Sequence, residues 1–352
     1  MLPAENQEAS RILMRSTNNL TFLRWVGASL VLVGHAHTFL GLPEPLFLGH
    51  ITLGPLGVFM FFSISGYLVA QSWERDPNAF RFMFRRVLRI FPALIVCTVL
   101  TVGVLGPLMT TRTLTEYFAH PATRGYFANI ALYITYYLPG LFETNRVANA
   151  VNGSLWSLPV EFAMYLLLAL VGVLAVPKRY WLIVMAGFML GTALWARQRT
   201  EMWVIYGTDV RQVFINGVFF WVGVAFQCCR IERHFTLTNL GIAAGAWIAL
   251  SHWSAAFQVA TWFLLPFVTL SFGLAQGSVL GRLNKLDYSY GIYIYAFPVQ
   301  QSLASIWPSM SVRAHVSLAF VGAAGLAGLS WHWVEAPALR FKPSRRRLEV
   351  AG

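Results

Sequence analysis

Charged residues are scarce in this chain. Only 11% of its 352 residues are charged and 57% are hydrophobic, whereas soluble domains carry about 25% charged residues. This deficit argues against a soluble globular protein and favours a helical protein that crosses a membrane several times. The net charge of +12 comes from Lys and Arg clustered in short loops. Such clustering is typical of the cytoplasmic loops of membrane proteins, so we expect no nucleic-acid partner.

Cysteine and the common catalytic motifs are scarce as well. Cys97, Cys228 and Cys229 are the only cysteines, and their spacing fits neither a disulfide framework nor a set of metal ligands. The chain has no glycine-rich nucleotide loop, nucleophile elbow or metal motif. We therefore predict no metal site and no permanently bound cofactor. The first apolar run is too long for a cleavable signal and follows a polar stretch, so it is predicted to be a retained span.

The apolar runs predict an all-α, polytopic bundle of about ten transmembrane helices with both termini in the cytoplasm. Eleven candidate runs lie at 20–40, 52–72, 87–109, 126–140, 155–176, 180–196, 212–228, 237–252, 258–276, 290–308 and 315–334. Eleven crossings would put the basic tail outside, against the positive-inside rule. The short run 126–140 is therefore interpreted as re-entrant or interfacial. The predicted units are an N-terminal cytoplasmic segment (1–19), a membrane domain (20–340) and a basic cytoplasmic tail (341–352).

Three ionisable residues, Arg24, His35 and His37, lie within the first apolar run, and the first two form the informative pair. Arg24 and His35 are eleven residues apart, which places them on nearly the same helix face and about 16 Å apart along the axis. Ionisable residues inside a membrane span are costly and are therefore functional candidates. The pair suggests an anion site near one surface and a base near the other. In the structural alternative, the Arg24 side chain extends to the lipid headgroups and His35 is hydrogen-bonded within the helical bundle.

A second group of arginines begins the third apolar run. Arg86 and Arg89 are three residues apart and share a helix face, and guanidinium groups bind phosphates in a bidentate manner. The alternative is an ordinary positive-inside cluster that contacts anionic lipid. Arg85 fits that alternative well, whereas Arg89 lies deeper.

Three further segments carry candidate residues. Ser63 and Ser65 lie in a small-residue stretch that indicates either close helix packing or a polar wall along a tunnel. Glu161 follows Trp156 in a span that has no other acid, and it either pairs with a neighbouring arginine, acts on the histidine or receives a substrate hydroxyl. The third segment is rich in tyrosine and contains Tyr290 and Tyr293. These tyrosines indicate either an aromatic belt at the membrane surface or a site that binds a sugar.

Together these segments resemble the acyltransferase 3 family, the membrane acyltransferases that modify bacterial surface polysaccharides and related glycans. The resemblance runs from about residue 20 to residue 340. It rests on the order and spacing of Leu23-Arg24 with His35, Gly57 with Phe61-Phe62-Ser63-Ile64-Ser65-Gly66, Arg86-Val87-Leu88-Arg89-Ile90-Phe91-Pro92, Ser154-Leu155-Trp156-Ser157-Leu158 before Glu161, Tyr288-Ser289-Tyr290-Gly291-Ile292-Tyr293 and Glu335-Ala336-Pro337.

The resemblance implies an activity and roles for these residues. Family members transfer an acyl group, commonly acetyl, from cytoplasmic acyl-CoA to a sugar hydroxyl on the outer side of the bacterial plasma membrane. His35 would be the catalytic base or a transient acyl carrier. Arg24, Arg86 and Arg89 would support donor binding or the geometry of the site. The implied partners are acyl-CoA, a glycan or lipid-linked sugar acceptor, the lipid bilayer and proteins of polysaccharide assembly.

The chain departs from the family pattern at two places. Many relatives have an aspartate where this chain has Phe59, and many have Trp-His-Phe-Pro where this chain has Tyr295-Ala296-Phe297-Pro298.

Two other functions are kept as alternatives. The first alternative function is a transporter or flippase for a glycan or lipid-linked precursor, without group transfer. The second is a non-catalytic subunit of a polymer-export complex, in which His35 would not be needed.

Overall fold

The protein is mostly helical in a computed structural model, which describes residues 18–197, 203–276, 280, 284 and 286–343. The long helices are α1 (Leu20–Leu40), α2 (Leu53–Arg75), α3 (Ala79–Leu100), α6 (Ser157–Val173), α7 (Lys178–Arg197), α8 (Val210–Cys228), α9 (Leu237–Leu250), α10 (Ser254–Leu274), α11 (Ser289–Ile306) and α12 (Val312–Ser330). Most of the predicted N-terminal segment (1–17) and of the basic tail (344–352) lies outside the described residues.

Short elements connect these helices. They are the hairpin β1 (Leu46–Phe47) and β2 (Ile51–Thr52), the helices α4 (Leu114–Ala119) and α5 (Pro121–Gly125), the hairpin β3 (Val204–Ile205) and β4 (Thr208–Asp209), and α13 (Ala336–Leu339). Both hairpins are antiparallel, pairing Leu46 with Thr52 and Val204 with Asp209. A π-helical turn, Thr101–Leu105, extends α3 to Met109, and another, Trp331–Glu335, joins α12 to α13. Short helices of the 3₁₀ type form at Tyr126–Ala131, Gly153–Trp156 and Ile231–His234.

Six helical segments in the described part of the chain are long and apolar enough to cross a membrane. They are Leu53–Arg75, Ala79–Met109, Gly153–Val173, Val210–Cys228, Ser254–Leu274 and Val312–Leu339. Within a bilayer the backbone must satisfy its own hydrogen bonds, and such helices do so. A multi-pass membrane protein follows from these segments. The count of ten spans and the cytoplasmic termini stay predictions.

The segment 126–140 forms no long helix. After Tyr126–Ala131 the chain turns at Leu132, whose φ is 64°, and continues without regular structure to Pro139. Tyr126 and Leu138 are buried in a small cluster with Val102. This agrees with the prediction that the segment does not cross the membrane as a helix.

The centre of the bundle is α2, which packs against α1 and α8 through small residues. A Cβ atom added at Gly57 would lie 2.3 Å from the carbonyl oxygen of Gly27, and one at Gly66 would lie 1.9 Å from that of Phe220. Glycine therefore allows the backbones of neighbouring helices to approach closely, as is common in membrane bundles. Helix α1 also packs on α11 and α12, so α1 lies between α2 and the C-terminal helices.

Candidate functional site

Five helices, α1, α2, α3, α6 and α11, surround a cavity of about 130 Å³. It contains most of the residues that the sequence singled out. Its lining includes Arg24, Ser65, Arg86, Arg89, Glu161, Tyr290 and Tyr293. The structure thus brings together residues that are up to 269 positions apart in the sequence.

Arg24 and Arg89 converge on a single carboxylate. Oδ2 of Asp287 lies 3.2 Å from Nη1 of Arg24 and 2.7 Å from Nη2 of Arg89. The Asp287 side chain is 11% exposed and also accepts a hydrogen bond from the Ser289 hydroxyl at 2.5 Å. Burial acts to raise the pKa of Asp287, but the positive charges of Arg89 and Arg24 outweigh it and hold that pKa below its usual value. Two partly buried cations therefore share one anion, and Nη1 of Arg89 also lies 4.0 Å from Oε2 of Glu335.

Arg86 has no ion pair in the described part of the chain. Its Nη2 donates to the Ser72 hydroxyl at 3.2 Å, its guanidinium lies over the rings of Phe82 and Tyr165, and its Nε is buried without a hydrogen-bond partner. A buried charge is costly unless it is paired. Because Arg86 lines the cavity, its unpaired charge makes the cavity suited to an anionic ligand.

Glu161 belongs to a hydroxyl network on the cavity wall. The Ser65 hydroxyl donates to Oε1 of Glu161 at 2.8 Å, and the Tyr165 hydroxyl donates to the same oxygen at 2.5 Å. Ser65 and Tyr165 also contact each other at 2.9 Å. No hydrogen bond joins Glu161 to His35 within the described residues, so Glu161 faces the cavity and does not orient the imidazole.

The two tyrosines point into the protein and do not form an aromatic belt. The Tyr290 hydroxyl donates to the carbonyl oxygen of Ile90 at 2.9 Å, and the Arg89 guanidinium lies 6.0 Å from the Tyr290 ring centre. The Tyr293 hydroxyl lies 2.7 Å from the hydroxyl of Ser157. Both tyrosines therefore shape the cavity beside the arginines.

His35 is outside the residues that line this cavity. It lies eleven positions beyond Arg24 on α1, and its ring meets the edges of Phe297 and Phe39, with centroids at 5.1 Å and 6.2 Å. Nδ1 of His35 is buried and has no hydrogen-bond partner among the described residues. Between the two, the Phe61 ring packs against Gly27. His35 and Arg24 are thus on one helix, and the Phe61 ring packs between their positions along that helix.

Two predicted residues do not line the cavity. Ser63 is fully buried, its hydroxyl donates to the carbonyl oxygen of Phe59 at 2.7 Å, and its own carbonyl oxygen would lie 2.4 Å from a Cβ atom at Gly223. Ser63 therefore belongs to the close packing of α2 on α8, not to a tunnel wall. Trp156 is partly buried against the main hydrophobic core.

Sequence reasoning missed three residues, two at the cavity or beside its arginines and one beside Gly34. Asp287 forms ion pairs with two arginines, and Tyr165 donates a hydrogen bond to Glu161. The third is Glu44, whose Oε1 lies beside Gly34 and accepts a hydrogen bond from the Gly54 backbone N–H at 2.6 Å. Asp287 begins the tyrosine-rich segment, so an acid just before a span was the available signal. Tyr165 stands one helical turn after Glu161, which was a weaker signal. Among the described residues, no group of three or more His, Cys, Asp or Glu is placed to hold a metal ion.

A family model with the description acyltransferase domain, that of acyltransferase 3, matches residues 17–332. The chain belongs to this family. It is 31% identical to an "O-acetyl transferase" of Shigella phage Sf6 over 333 residues, which cover 92% of this chain and 96% of the relative. It is also 31% identical to "Nodulation protein 10" of Rhizobium leguminosarum bv. viciae over 374 aligned positions, covering 95% and 97% of the two chains. No solved structure matches the chain.

Membership in this family makes the chain an O-acyltransferase. The family match and the name of the phage relative therefore favour group transfer over the transporter alternative. The match also covers every residue that lines the cavity.

Proposed function

We propose that this acyltransferase moves an acetyl group from cytoplasmic acetyl-CoA to a sugar hydroxyl of a polysaccharide, a lipid-linked oligosaccharide or another glycan. The observation that carries the proposal is that three arginines line the cavity, whereas Glu161 is the one acid among the described lining residues. Arg24 and Arg89 share one carboxylate, and Arg86 has none within 4.0 Å in the described part of the chain. Phosphate groups of coenzyme A are suitable counterions because guanidinium groups bind phosphate through paired hydrogen bonds.

The donor is an extended molecule, and the site is extended in the same way. Arg24 and His35 lie on one helix, about 16 Å apart along its axis. Phosphates held at the arginines would leave the pantetheine arm to run along α1 toward His35. This path requires the Phe61 ring, which packs against Gly27 between the two residues, to move aside when the donor binds.

The chemistry proposed for His35 is proton transfer or acyl transfer. As a base, the neutral imidazole takes the proton of the acceptor hydroxyl while the oxygen attacks the thioester carbonyl. The carbon–sulfur bond then breaks, and the imidazolium returns the proton to the leaving thiolate. As an acyl carrier, the imidazole would attack the thioester first, and the carbon–sulfur bond would break to release coenzyme A as its thiolate. In a second step the acceptor hydroxyl would attack the acyl-imidazole, whose carbon–nitrogen bond breaks, and the hydroxyl proton would pass to the thiolate. Glu161 would act on the donor side, because its hydroxyl network lines the cavity.

The proposal also includes the acceptor and the cellular location. The name of the phage relative supports acetyl as the transferred group, and the family resemblance supports a glycan acceptor. We place the protein in the bacterial plasma membrane, with ten spans and both termini in the cytoplasm. Proteins of polysaccharide assembly would be its partners there.

The test uses membranes that contain the parent protein or its His35→Ala variant, supplied with acetyl-CoA labelled in the acetyl group. Label in the glycan and lipid-linked fractions should appear with the parent and be lost with the variant at equal expression. His37→Ala is the matched control, since His37 is on the same helix but its Nδ1 contacts the Val33 carbonyl oxygen at 2.9 Å. His37→Ala should retain transfer. Transfer by His35→Ala at the parental rate would contradict the role of His35.

A further inference from the structure

A second cavity in the described part of the chain is larger than the one that the arginines line. Its volume is about 740 Å³, against about 130 Å³ for the arginine-lined cavity. We call it the aromatic cavity, because its lining includes the rings of Phe59, Trp195, Phe219, Phe257 and Trp262. The two cavities share no lining residue, so they are separate sites.

The aromatic cavity is at the His35 end of the bundle. The backbone nitrogen of Gly54, in the first turn of α2, lies 2.9 Å from a Cβ atom built on Gly34, the residue before His35. Pro55 follows Gly54 and lines the cavity together with His50 of the preceding hairpin. With both termini in the cytoplasm, as proposed above, this end of the bundle faces the outside of the cell.

The lining combines the aromatic rings with neutral polar side chains, which belong to Thr52, Thr192, Ser254, Gln258 and Thr261. Arg211 also lines the cavity, but its Nη2 pairs with a carboxylate oxygen of Asp209 at 2.6 Å. No Asp or Glu is among the described lining residues. Nε2 of His50 contacts the carbonyl oxygen of Ser251 at 2.7 Å. In contrast to the arginine-lined cavity, this one therefore suits a ligand without charge.

A sugar matches this lining better than a lipid does. Ligand pockets of about 300–1,000 Å³ typically combine aromatic walls with a few polar groups that fix the orientation of the ligand. The apolar C–H face of a sugar packs on aromatic rings, and its hydroxyls pair with polar side chains. A lipid tail would leave those side chains without partners. A lipid phosphate would require a cation that is not already paired.

Helix α2 separates the aromatic cavity from α1. Gly57 is on the side of α2 that packs against α1, since a Cβ atom there would lie 2.3 Å from the carbonyl oxygen of Gly27. Phe59 is two positions further, about 200° around the helix. Its ring stacks on that of Phe219 in α8, with centroids 4.1 Å apart. A sugar in the aromatic cavity is thus on the far side of α2 from His35, and its own hydroxyls do not reach the imidazole.

We propose that the aromatic cavity binds a sugar unit of the acceptor glycan other than the unit that is acylated. This assignment rests on the proposed function, in which the acceptor is a glycan at the outer side. A glycan held by one unit raises the effective concentration of its other units near His35. The enzyme should therefore prefer acceptors of several units to single units.

Steady-state acetyl transfer by the purified full-length protein tests the proposal. The acceptor is glycan from the cells that express the protein, stripped of acetyl groups by mild alkali and used intact or after hydrolysis to single repeat units. The parent should have a lower KM for the intact glycan than for single units. Trp262→Ala should raise the KM for the intact glycan about 5- to 30-fold, as expected for the loss of one aromatic contact. The KM for single units and for acetyl-CoA should stay unchanged.

Two further variants guard against a general effect on folding. Trp262 packs partly on the main core, whereas Gln258 is exposed, and Gln258→Ala should raise the same KM about 2- to 10-fold. Trp253→Ala is the matched control, because Trp253 precedes α10 at the same end, is 63% exposed and does not line the cavity. It should behave like the parent. A structural role of Trp262 would instead raise the KM for single units and for acetyl-CoA as well, which would overturn the proposal.

The failures of the two proposals are distinguishable. If the parent acetylates the glycan but Trp262→Ala and Gln258→Ala keep its KM for the intact glycan, the sugar site is wrong and the proposed function stands. If the parent acetylates neither the intact glycan nor its single units, the proposed acceptor fails and the sugar site fails with it. If the two variants lose only a co-purifying lipid, detected by mass spectrometry, the cavity binds lipid and not a sugar.

Discussion

Replacing Asp287 with asparagine should destabilise the protein strongly at neutral pH. The substitution keeps the size of the side chain but removes the charge that holds Arg24 and Arg89, at 3.2 Å and 2.7 Å. Breaking a fully buried ion pair costs about 3–5 kcal/mol, because the partner is left with an uncompensated charge. Here the two guanidinium side chains are 23% and 24% exposed, so water screens part of that cost. We expect a loss of about 2–3 kcal/mol.

The pH dependence of this loss has a definite sign. The charges of Arg89 and Arg24 hold the pKa of Asp287 below its usual value in the folded protein. A carboxyl with a lowered folded pKa contributes stability that is fully present above its unfolded pKa of about 4. That contribution is lost as the pH falls below 4 toward the folded pKa. The difference in the free energy of unfolding between the parent and Asp287→Asn should therefore be constant from pH 8 to pH 5 and should become smaller below pH 4.

The assay is equilibrium unfolding in a fixed detergent, followed by circular dichroism at several pH values. Lys178→Gln serves as the control, because its ion pair with Glu74 is 47% exposed on the lysine side and should be worth less than about 1 kcal/mol. Equal stability of the parent and Asp287→Asn at pH 7 would refute the reasoning. If the difference in the free energy of unfolding stays large and unchanged down to pH 2, the asparagine disturbs the packing and not the charge.

Two other substitutions test the packing and the donor site. Gly66→Ala should destabilise the protein by at least about 1–3 kcal/mol, because the new methyl group would meet a backbone carbonyl oxygen at 1.9 Å. Gly187→Ala, which meets nothing within 4 Å, should be neutral or slightly stabilising, and similar melting temperatures for both variants would contradict the close contact. Arg89→Ala should weaken acyl-CoA binding in calorimetry more than Arg85→Ala does, because only Arg89 lines the cavity. Equal binding by the two variants would remove Arg89 from the donor site.

Much of the candidate site was readable from local sequence spacing. Arg24 and His35 were predicted on one helix, and both lie on α1. Arg86 and Arg89 were predicted to share a helix face, and both line the cavity. Such predictions succeed because an α-helix turns by a constant angle per residue, so the direction of a side chain follows from its position alone.

Contacts between distant helices were not readable in this way. The sequence left Glu161 with an arginine, a histidine or a substrate as its partner, and the structure gives it the hydroxyls of Ser65 and Tyr165. Ser63 and Ser65 looked alike in sequence, but one faces α8 and the other the cavity. Their difference depends on which helix packs on each face of α2.

The sequence by itself determined the class of protein, the membrane setting, the helical character and the family. Composition and the length of the apolar runs decide the first three properties, because they set how much apolar surface must be removed from water. The order and spacing of the motifs indicated the family. Only the tertiary structure decided that Asp287 joins Arg24 to Arg89. Those pairings join residues from opposite ends of the chain. Charge attraction acts through space, so its partners are set by the packing of helices and not by their order in the sequence.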